Sequence, residues 1–486
     1  MIQNVDYLAI APPLVLALAG LAMLLLDAFL PRSGWTHAGA LAGVLVAGAM
    51  EVWLAFDGPH RTFCVGETCS YVVDTFTVLF QSVMLIAGLV VVLIARAEVR
   101  GTRLPAGEFY FLLLAALAGA LTLAAGRDLI TLVVALEVVS LPLFALVALR
   151  RYDGRSTEAG LKMFLVSVIS TAVMLFGVSL VYGATGTLFL EPISAALRRP
   201  EMPHGVAAAG AVLVLVGFGF KVSAVPFHFW APDTYQGAPI AVAAFLSVAS
   251  KAAGFAGLAL VLTVAFGPLA NVWGPLVAAL AALTMTAGNL VALRQRTAMR
   301  LLAWSSIAQA GYMLAPLGAA AGVTGDPALR DLVAATVGYL AIYSVMNLGV
   351  FAIVAFAGWI GRHGGGLIED YRGLFRTHPV TALALAFFLA CLAGLPPGLA
   401  GLFAKIVVFR GTLTGGYGWL GVIMAVNTVL GLYYYLAWAS RLFAPDPAVH
   451  FGRVPRYVTA AILVAAAGTL LVSVAPQIVL GVAPGG

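Results

Sequence analysis

The sequence is a succession of apolar stretches, most of them close to the length of a membrane span, separated by short polar connections. A helix needs about 20 apolar residues to cross the hydrocarbon core of a bilayer. Inside that core every backbone N–H and C=O must find its partner within the segment or in a closed barrel. These conditions point to an all-α polytopic membrane protein. Suitable stretches lie near residues 8–30, 37–56, 72–95, 109–126, 129–149, 160–183, 206–225, 239–265, 269–292, 299–320, 331–359, 379–413, 417–443 and 456–482, about fourteen in all. The stretch 379–413 is too long for one straight helix and contains "GLPPGLAG", which reads as two half-helices joined at Pro396–Pro397.

Charge enters as an exclusion. Only 9% of the residues are charged, against about 25% in soluble domains, and the connections are too short for a separate globular domain. The net charge of +6 is spread over short loops, so it carries no nucleic-acid signal. No Lys or Arg precedes the first apolar run, so Leu8–Leu30 reads as a retained helix rather than a cleaved leader. The three cysteines, Cys64, Cys69 and Cys391, fall short of the roughly four thiolates an iron–sulfur cluster takes. No Walker A loop or complete GxGxxG loop occurs, so no cofactor is expected in this chain.

The first, third and later odd-numbered connections carry most of the basic residues, among them Arg150, Arg155, Arg294, Arg296 and Arg300. Basic loops stay cytoplasmic, which predicts that both termini lie on the external side. Cys64 and Cys69 then share an external loop, "CVGETC", where a disulfide and two free thiols are both open; Cys391 reads as helix packing. Spans 4–8 and 9–13 read as a repeat of five, an odd number that would set consecutive copies upside down. In each the fourth span is interrupted by proline, at Pro226 and at Pro396–Pro397. Paired interruptions point to an ion or substrate site.

Of 26 Lys and Arg, four are lysines, and all four fall in apolar spans: Lys162, Lys221, Lys251 and Lys405. A charge at the centre of a membrane helix costs about 2.5–3.5 kcal/mol on insertion scales. Codon bias explains arginine in the loops but not the placement of these lysines. Arginine stays protonated, whereas a buried lysine exchanges its proton, so the four are candidates for proton handling, with Lys162 near enough to a span end to snorkel. Glu137, in "ALEVVSLPLF", is the mid-span acid, with Pro142 five residues later, the spacing that Lys221 and Pro226 repeat. His228 follows the break in "PFHFWAPDTYQGAP" and is read as a relay or as a neutral bond to a freed carbonyl. Asp233 reads as an anchor of the short connection. Trp230, Tyr235 and Tyr433–Tyr435 read as packing or interfacial residues, and Asp27 and Glu51 as acids with no assigned role.

The stretches "ALEVVSLPLFALVALRR", "GFGFKVSAVPFHFWAPDTYQGAP", "SVASKAAGFAGL", "RLLAWSSIAQAGYML" and "GLPPGLAGLFAK" together resemble the antiporter-like membrane subunits of respiratory complex I, the NADH–quinone oxidoreductase. The resemblance runs from span 3 to span 13 and is weak over the first two spans. It implies fourteen helices, inverted repeats of five helices, and discontinuous helices 7 and 12. Residues 1–105 would hold helices 1–3, residues 106–266 and 267–444 the two repeats, and residues 445–486 the last helix. It further implies a proton path in which Glu137 and Lys221 form a coupled pair, Lys251 connects the halves and Lys405 ends the second, with Lys162 also at a family position and His228 on the same axis.

By the same resemblance FMN, iron–sulfur clusters and quinone belong to partner subunits. The partners would be other membrane-arm subunits, neighbouring antiporter-like chains and the lipid of a bacterial inner membrane. A subunit of an Mrp-type cation/proton antiporter is the alternative, and an assembly scaffold with unused buried charges is a third reading.

Overall fold

The computed structural model describes residues 5–30, 34–102, 104–150, 152–323, 325–360, 366–445 and 452–481. The protein is a mostly helical, multi-pass membrane protein, and among the described residues 12 helices are long and apolar enough to cross a bilayer. In chain order the first helices are α1 (Ala11–Phe29), α2 (Trp35–Asp57), α3 (Thr75–Thr102), α4 (Ala106–Ala125), α5 (Leu129–Val147) and α6 (Gly154–Thr185). They are followed by α7 (Leu190–Leu197), α8 (His204–Lys221), α9 (Trp230–Gly237), α10 (Ile240–Phe245), α11 (Lys251–Leu260), α12 (Ala270–Ala292) and α13 (Ala298–Gly318). The remainder are α14 (Asp326–Ile360), α15 (Leu374–Thr377), α16 (Pro379–Ala393), α17 (Leu399–Thr414), α18 (Gly418–Phe443), α19 (Arg456–Val474) and α20 (Gln477–Leu480).

The chain divides into two compact units, the first made of Met1–Leu89, Pro105–Trp230 and Ala249–Leu276. Its centre is α4, an apolar helix buried over most of its length that packs against α1, α5 and α11. Helices α1 and α2 leave most of their apolar surface outward, as a lipid-facing edge requires. Asp27 on α1 accepts the backbone N–H of Gly107 at 3.1 Å, which satisfies one of the orphan donors at the start of α4. Asp128 caps α5 through the backbone N–H and the hydroxyl of Thr131, at 2.8 and 2.6 Å.

Two strands absent from the sequence reading join α2 to α3: β1 (His60–Val65) and β2 (Thr68–Val73) form an antiparallel hairpin in which Cys64 faces Cys69. The two cysteines form a disulfide. His60 ties this hairpin to the helix ends: Nδ1 meets Asp6 at 2.7 Å and Nε2 meets Asp57 at 3.1 Å. Behind it, Arg127 donates to Asp74 at 2.9 Å. Burial by itself would push the Asp74 carboxyl up, but the Arg127 guanidinium and the hydrogen bond from the Thr77 backbone hold it below the usual carboxylate range.

The second unit comprises Val90–Leu104, Ala231–Val248 and Val277–Gly486. Its spine is α14, against which α13, α16, α17 and α19 pack. Apart from Arg300 and Trp304, the whole of α13 is buried. At the start of α10 the Glu98 carboxylate accepts the backbone N–H groups of Ile240 and Ala241 at 2.9 and 3.0 Å. A negative charge there complements the helix dipole. Asp233 and Gln236 of α9 both accept from Arg300 of α13 at 3.0 Å, the anchoring role expected of Asp233.

Candidate functional site

Two places in the chain stop a helix inside an apolar stretch, and both stops use the same hydrogen-bond pattern. At the end of α8 the N–H of Ala224 reaches Gly219 O at 2.8 Å and the N–H of Ser223 reaches Phe220 O at 3.0 Å, with Ser223 in the left-handed conformation at φ 61°. At the end of α16 the N–H of Leu395 reaches Ala390 O at 3.1 Å and that of Gly394 reaches Cys391 O at 2.9 Å, with Gly394 at φ 81°. Both are Schellman closures, which satisfy some of the last carbonyls of a helix and leave others free to accept. Trp230 adds to the first closure, its Nε1 donating to the same Phe220 O that accepts from Ser223, at 3.1 Å. The sequence reading had given Trp230 a packing role; it also seals a helix end.

A lysine lies at each stop. Lys221 is the last residue of α8, 2% exposed, and its Nζ donates to Ser140 Oγ of α5 at 2.9 Å. Ser140 in turn donates to Leu136 O at 2.7 Å. Glu137 stands one turn before Ser140 on the same helix and accepts the Thr171 hydroxyl of α6 at 2.6 Å. Lys221 is thus held within the field of Glu137 but bonded to the neighbouring serine. Pro142 lies inside an unbroken α5, whereas Pro226 lies in the open segment between α8 and α9.

The stem of Lys221 packs on Gly254 of α11, where an added Cβ would come within 2.9 Å of Lys221 Cγ. Gly254 is one turn beyond Lys251, so the first unit brings Lys221 and Lys251 to the same helix contact. Lys251 is 1% exposed and opens α11 directly after a π-helical turn, Leu246–Ser250, and a second π turn spans Val261–Ala265. Such turns cluster at functional sites; the sequence carries no proline or polar signal that would have revealed them. His228 is buried in the same break as Ser223 and lies against Phe229.

Lys405 of α17 answers the second stop. Its Nζ donates to Ala393 O at 2.6 Å, at the carbonyl end of α16, and lies 5.6 Å from the centre of the Tyr312 ring. The negative end of a helix dipole and an aromatic face both favour a cation. A groove of about 620 Å³ runs along α17 past Lys405, lined by Leu402, Ile406, Phe409, Arg410 and Thr428 among others.

Lys162 stands apart. It pairs with Glu158 one turn earlier on α6 at 2.7 Å, and its side chain is 46% exposed, so the first unit does not gather it with Lys221 and Lys251. Glu51 is the reverse case: it is 1% exposed, and neither carboxyl oxygen has a hydrogen-bond partner among the described residues. Cys391 is buried between half-helices. An added Cβ at Gly401 would come within 1.6 Å of the backbone oxygen of Cys391, so the two helices touch backbone to backbone there.

Sequence reasoning treated the tyrosines of α18 as packing or interfacial residues, without hydrogen-bonding roles. Tyr433 does face outward, but Tyr434 and Tyr435 are buried and hydrogen-bonded. Tyr434 donates to Asn289 Oδ1 at 3.0 Å, and Tyr435 meets Ser305 Oγ at 2.5 Å. Tyr235 meets Ser306 Oγ at 3.4 Å. Only the spacing of Ser305, Ser306, Gln309 and Tyr312 along α13, one helical face every three to four residues, foreshadows this cluster.

Comparison with known proteins gives the family. Residues 126–431 match the family described as NADH:quinone oxidoreductase/Mrp antiporter, TM. The chain is 50% identical to NADH-quinone oxidoreductase subunit N 2 of Streptomyces griseus subsp. griseus, over 99% of this chain and 93% of that one. It superposes on a chain of respiratory complex I from Thermus thermophilus with TM-score 0.76 and 35% identity, covering 98% of this chain and 100% of the other. The fold also matches a chain of the Mrp complex from Dietzia sp. DQ12-45-1b, with TM-score 0.84 at 22% identity over 98% and 96% of the two chains. The chain therefore belongs to the NADH:quinone oxidoreductase/Mrp antiporter transmembrane family, and within it to the subunit N proteins of NADH-quinone oxidoreductase.

Proposed function

We propose that this chain is a proton-translocating, non-redox subunit of the membrane arm of an NADH-quinone oxidoreductase, driven by electron transfer in partner subunits that carry FMN, iron–sulfur clusters and quinone. The observation that carries the reading is the placement of Lys221 and Lys405 at the two helix stops, buried and each with its ammonium on a neutral acceptor. The scheme takes residues 106–266 and 267–444 as inverted repeats, the seventh and twelfth spans as discontinuous at Pro226 and at Pro396–Pro397, and both termini as external. Glu137, Lys221, His228, Lys251 and Lys405 form its axis, and Lys162 feeds it from the cytoplasmic end.

The chemistry is electrostatic. With Glu137 beside it, the Lys221 ammonium keeps its proton; when the carboxylate is drawn away, the proton passes to Lys251 and on to Lys405. Moving one charge against the membrane potential costs about 2.3 kcal/mol per 100 mV. Lys221 is bonded to Ser140 rather than to Glu137, so the pair interacts at a distance; at about 6–8 Å in an effective dielectric of about 20 that interaction is worth about 2–3 kcal/mol, the same order as the cost.

The test is to tag the chain, extract it gently, and follow flavin, iron–sulfur absorbance and inhibitor-sensitive NADH–quinone activity. Their co-purification is the expected result, with Lys221→Ala abolishing pumping by the assembled complex. Isolation with membrane subunits alone, and transport driven by a sodium gradient, would instead favour an Mrp-type cation/proton antiporter, the reading that the fold likeness to the Dietzia chain supports.

A further inference from the structure

The second unit contains a buried chain of groups that the scheme above does not use. Tyr339 of α14 donates its hydroxyl hydrogen to Gln309 Oε1 of α13. The amide passes the direction on: Gln309 Nε2 donates to Tyr435 Oη of α18 at 3.1 Å. With that oxygen accepting from Gln309, the hydrogen of Tyr435 can turn to Ser305 Oγ, 2.5 Å away, a bond in which either hydroxyl can be the donor. Every member is at most 3% exposed. Tyr339 also stacks on Tyr312, with ring centres 6.1 Å apart and planes at 8°, and Tyr312 carries Lys405 on its face.

A hydroxyl accepts one proton while releasing another. An amide cannot do this without becoming an imidic acid, because its acceptor is oxygen and its donor is nitrogen. Gln309 therefore transmits orientation and no proton. We propose that Gln309 is a positioning residue that works as a two-position switch: turning its amide end over reverses the direction in which Tyr339 and Tyr435 point their hydrogens. In the orientation described, Tyr435 is free to present its hydrogen to Ser305. In the other, Nε2 donates to Tyr339 Oη, Oε1 accepts from Tyr435, and Ser305 loses that donor. No bond to a heavy atom is made or broken in the flip.

This inference rests on the proton-translocating reading, and the experiment separates the two. The complete complex is reconstituted in liposomes, and protons delivered per NADH oxidised are measured together with the solvent deuterium effect on the pumping rate. Gln309→Leu removes both bonds, and the expected result is a loss of protons per NADH in assembled complex. Gln309→His restores one donor and one acceptor, so it is expected to pump and to keep the wild-type isotope effect. Leucine at the wild-type ratio, or histidine and leucine equally impaired, overturns the proposal. Where the leucine variant does not assemble, Tyr435→Phe takes its place: loss of pumping supports the switch, and wild-type pumping overturns it. Lys221→Ala is run beside them. Wild-type pumping in that variant means the proton-translocating reading has failed, whereas its loss alongside an unaffected Gln309→Leu sinks the switch alone.

Discussion

The crossing of α16 and α17 gives a sharp test of how backbone contact holds Lys405. The perturbation is Gly401→Ala. Its new Cβ would stand 1.6 Å from Cys391 O and 2.6 Å from Cys391 C, where ordinary contact begins at 3.4 Å. The obstacle is backbone on both sides, so no rotamer relieves it, and the half-helices must part by roughly 1.8 Å, the difference of those two oxygen distances. Lys405 lies one turn beyond Gly401, and its bond to Ala393 O is 2.6 Å long. A displacement of that size carries it past the ~3.2 Å limit of a hydrogen bond.

Overpacking of this kind costs about 1–3 kcal/mol, and losing a hydrogen bond to a charged group costs about 1.5–3 kcal/mol. The expected outcome is a lower yield of assembled complex, and in what does assemble, a loss of pumping with NADH–quinone electron transfer retained. Yield is read by native electrophoresis and pumping by a liposome pH assay. Gly183→Ala is the control, since nothing lies within 4 Å of a Cβ there. A Gly401→Ala complex that assembles and pumps as wild type would refute the claim that this contact positions the lysine.

Ser140→Ala removes the acceptor of Lys221 and leaves its buried Nζ without that hydrogen bond. A cost of about 1–3 kcal/mol is expected to slow pumping by tenfold or more, and Ser140→Thr, which keeps a hydroxyl, should recover most of it. Alkylation of the denatured, unreduced chain should label one thiol, Cys391, and reduction should raise the count to three; three labels without reduction would contradict the hairpin disulfide. Asp74 has a depressed pKa in the fold, so its ion pair with Arg127 adds stability above the ordinary carboxylate range and loses it as pH falls through the folded value. Asp74 is 41% exposed, so solvent screens the effect. Asp74→Asn should flatten the acid limb of a proteolysis-resistance profile slightly, and an unchanged acid limb would count against the pair.

The bundle and the buried lysines were legible because a bilayer leaves a chain so little choice: length, apolarity and the rarity of an intramembrane charge are enough to mark Lys221, Lys251 and Lys405. Other features were not. The hairpin His60–Val73 sits in a connection that composition marks only as polar. The π turns around Lys251 widen a helix without any residue that announces it. Ser140 reads as an ordinary small residue until Lys221 arrives from a helix 81 positions away. Hydropathy also hides the tyrosine cluster, because a Tyr in an apolar run looks the same whether its hydroxyl is at an interface or against Gln309.

The two helix stops share a hydrogen-bond pattern but differ by one side chain. Gly394 occupies the left-handed region freely, whereas Ser223, at φ 61°, holds a Cβ against its own carbonyl at a cost of about 1–2 kcal/mol. When the closing bonds open, α16 has no backbone strain to release, and α8 does. The first stop is therefore a loaded latch and the second a neutral hinge. Unwinding by one turn would release about 1–2 kcal/mol at the Lys221 end and none at the Lys405 end.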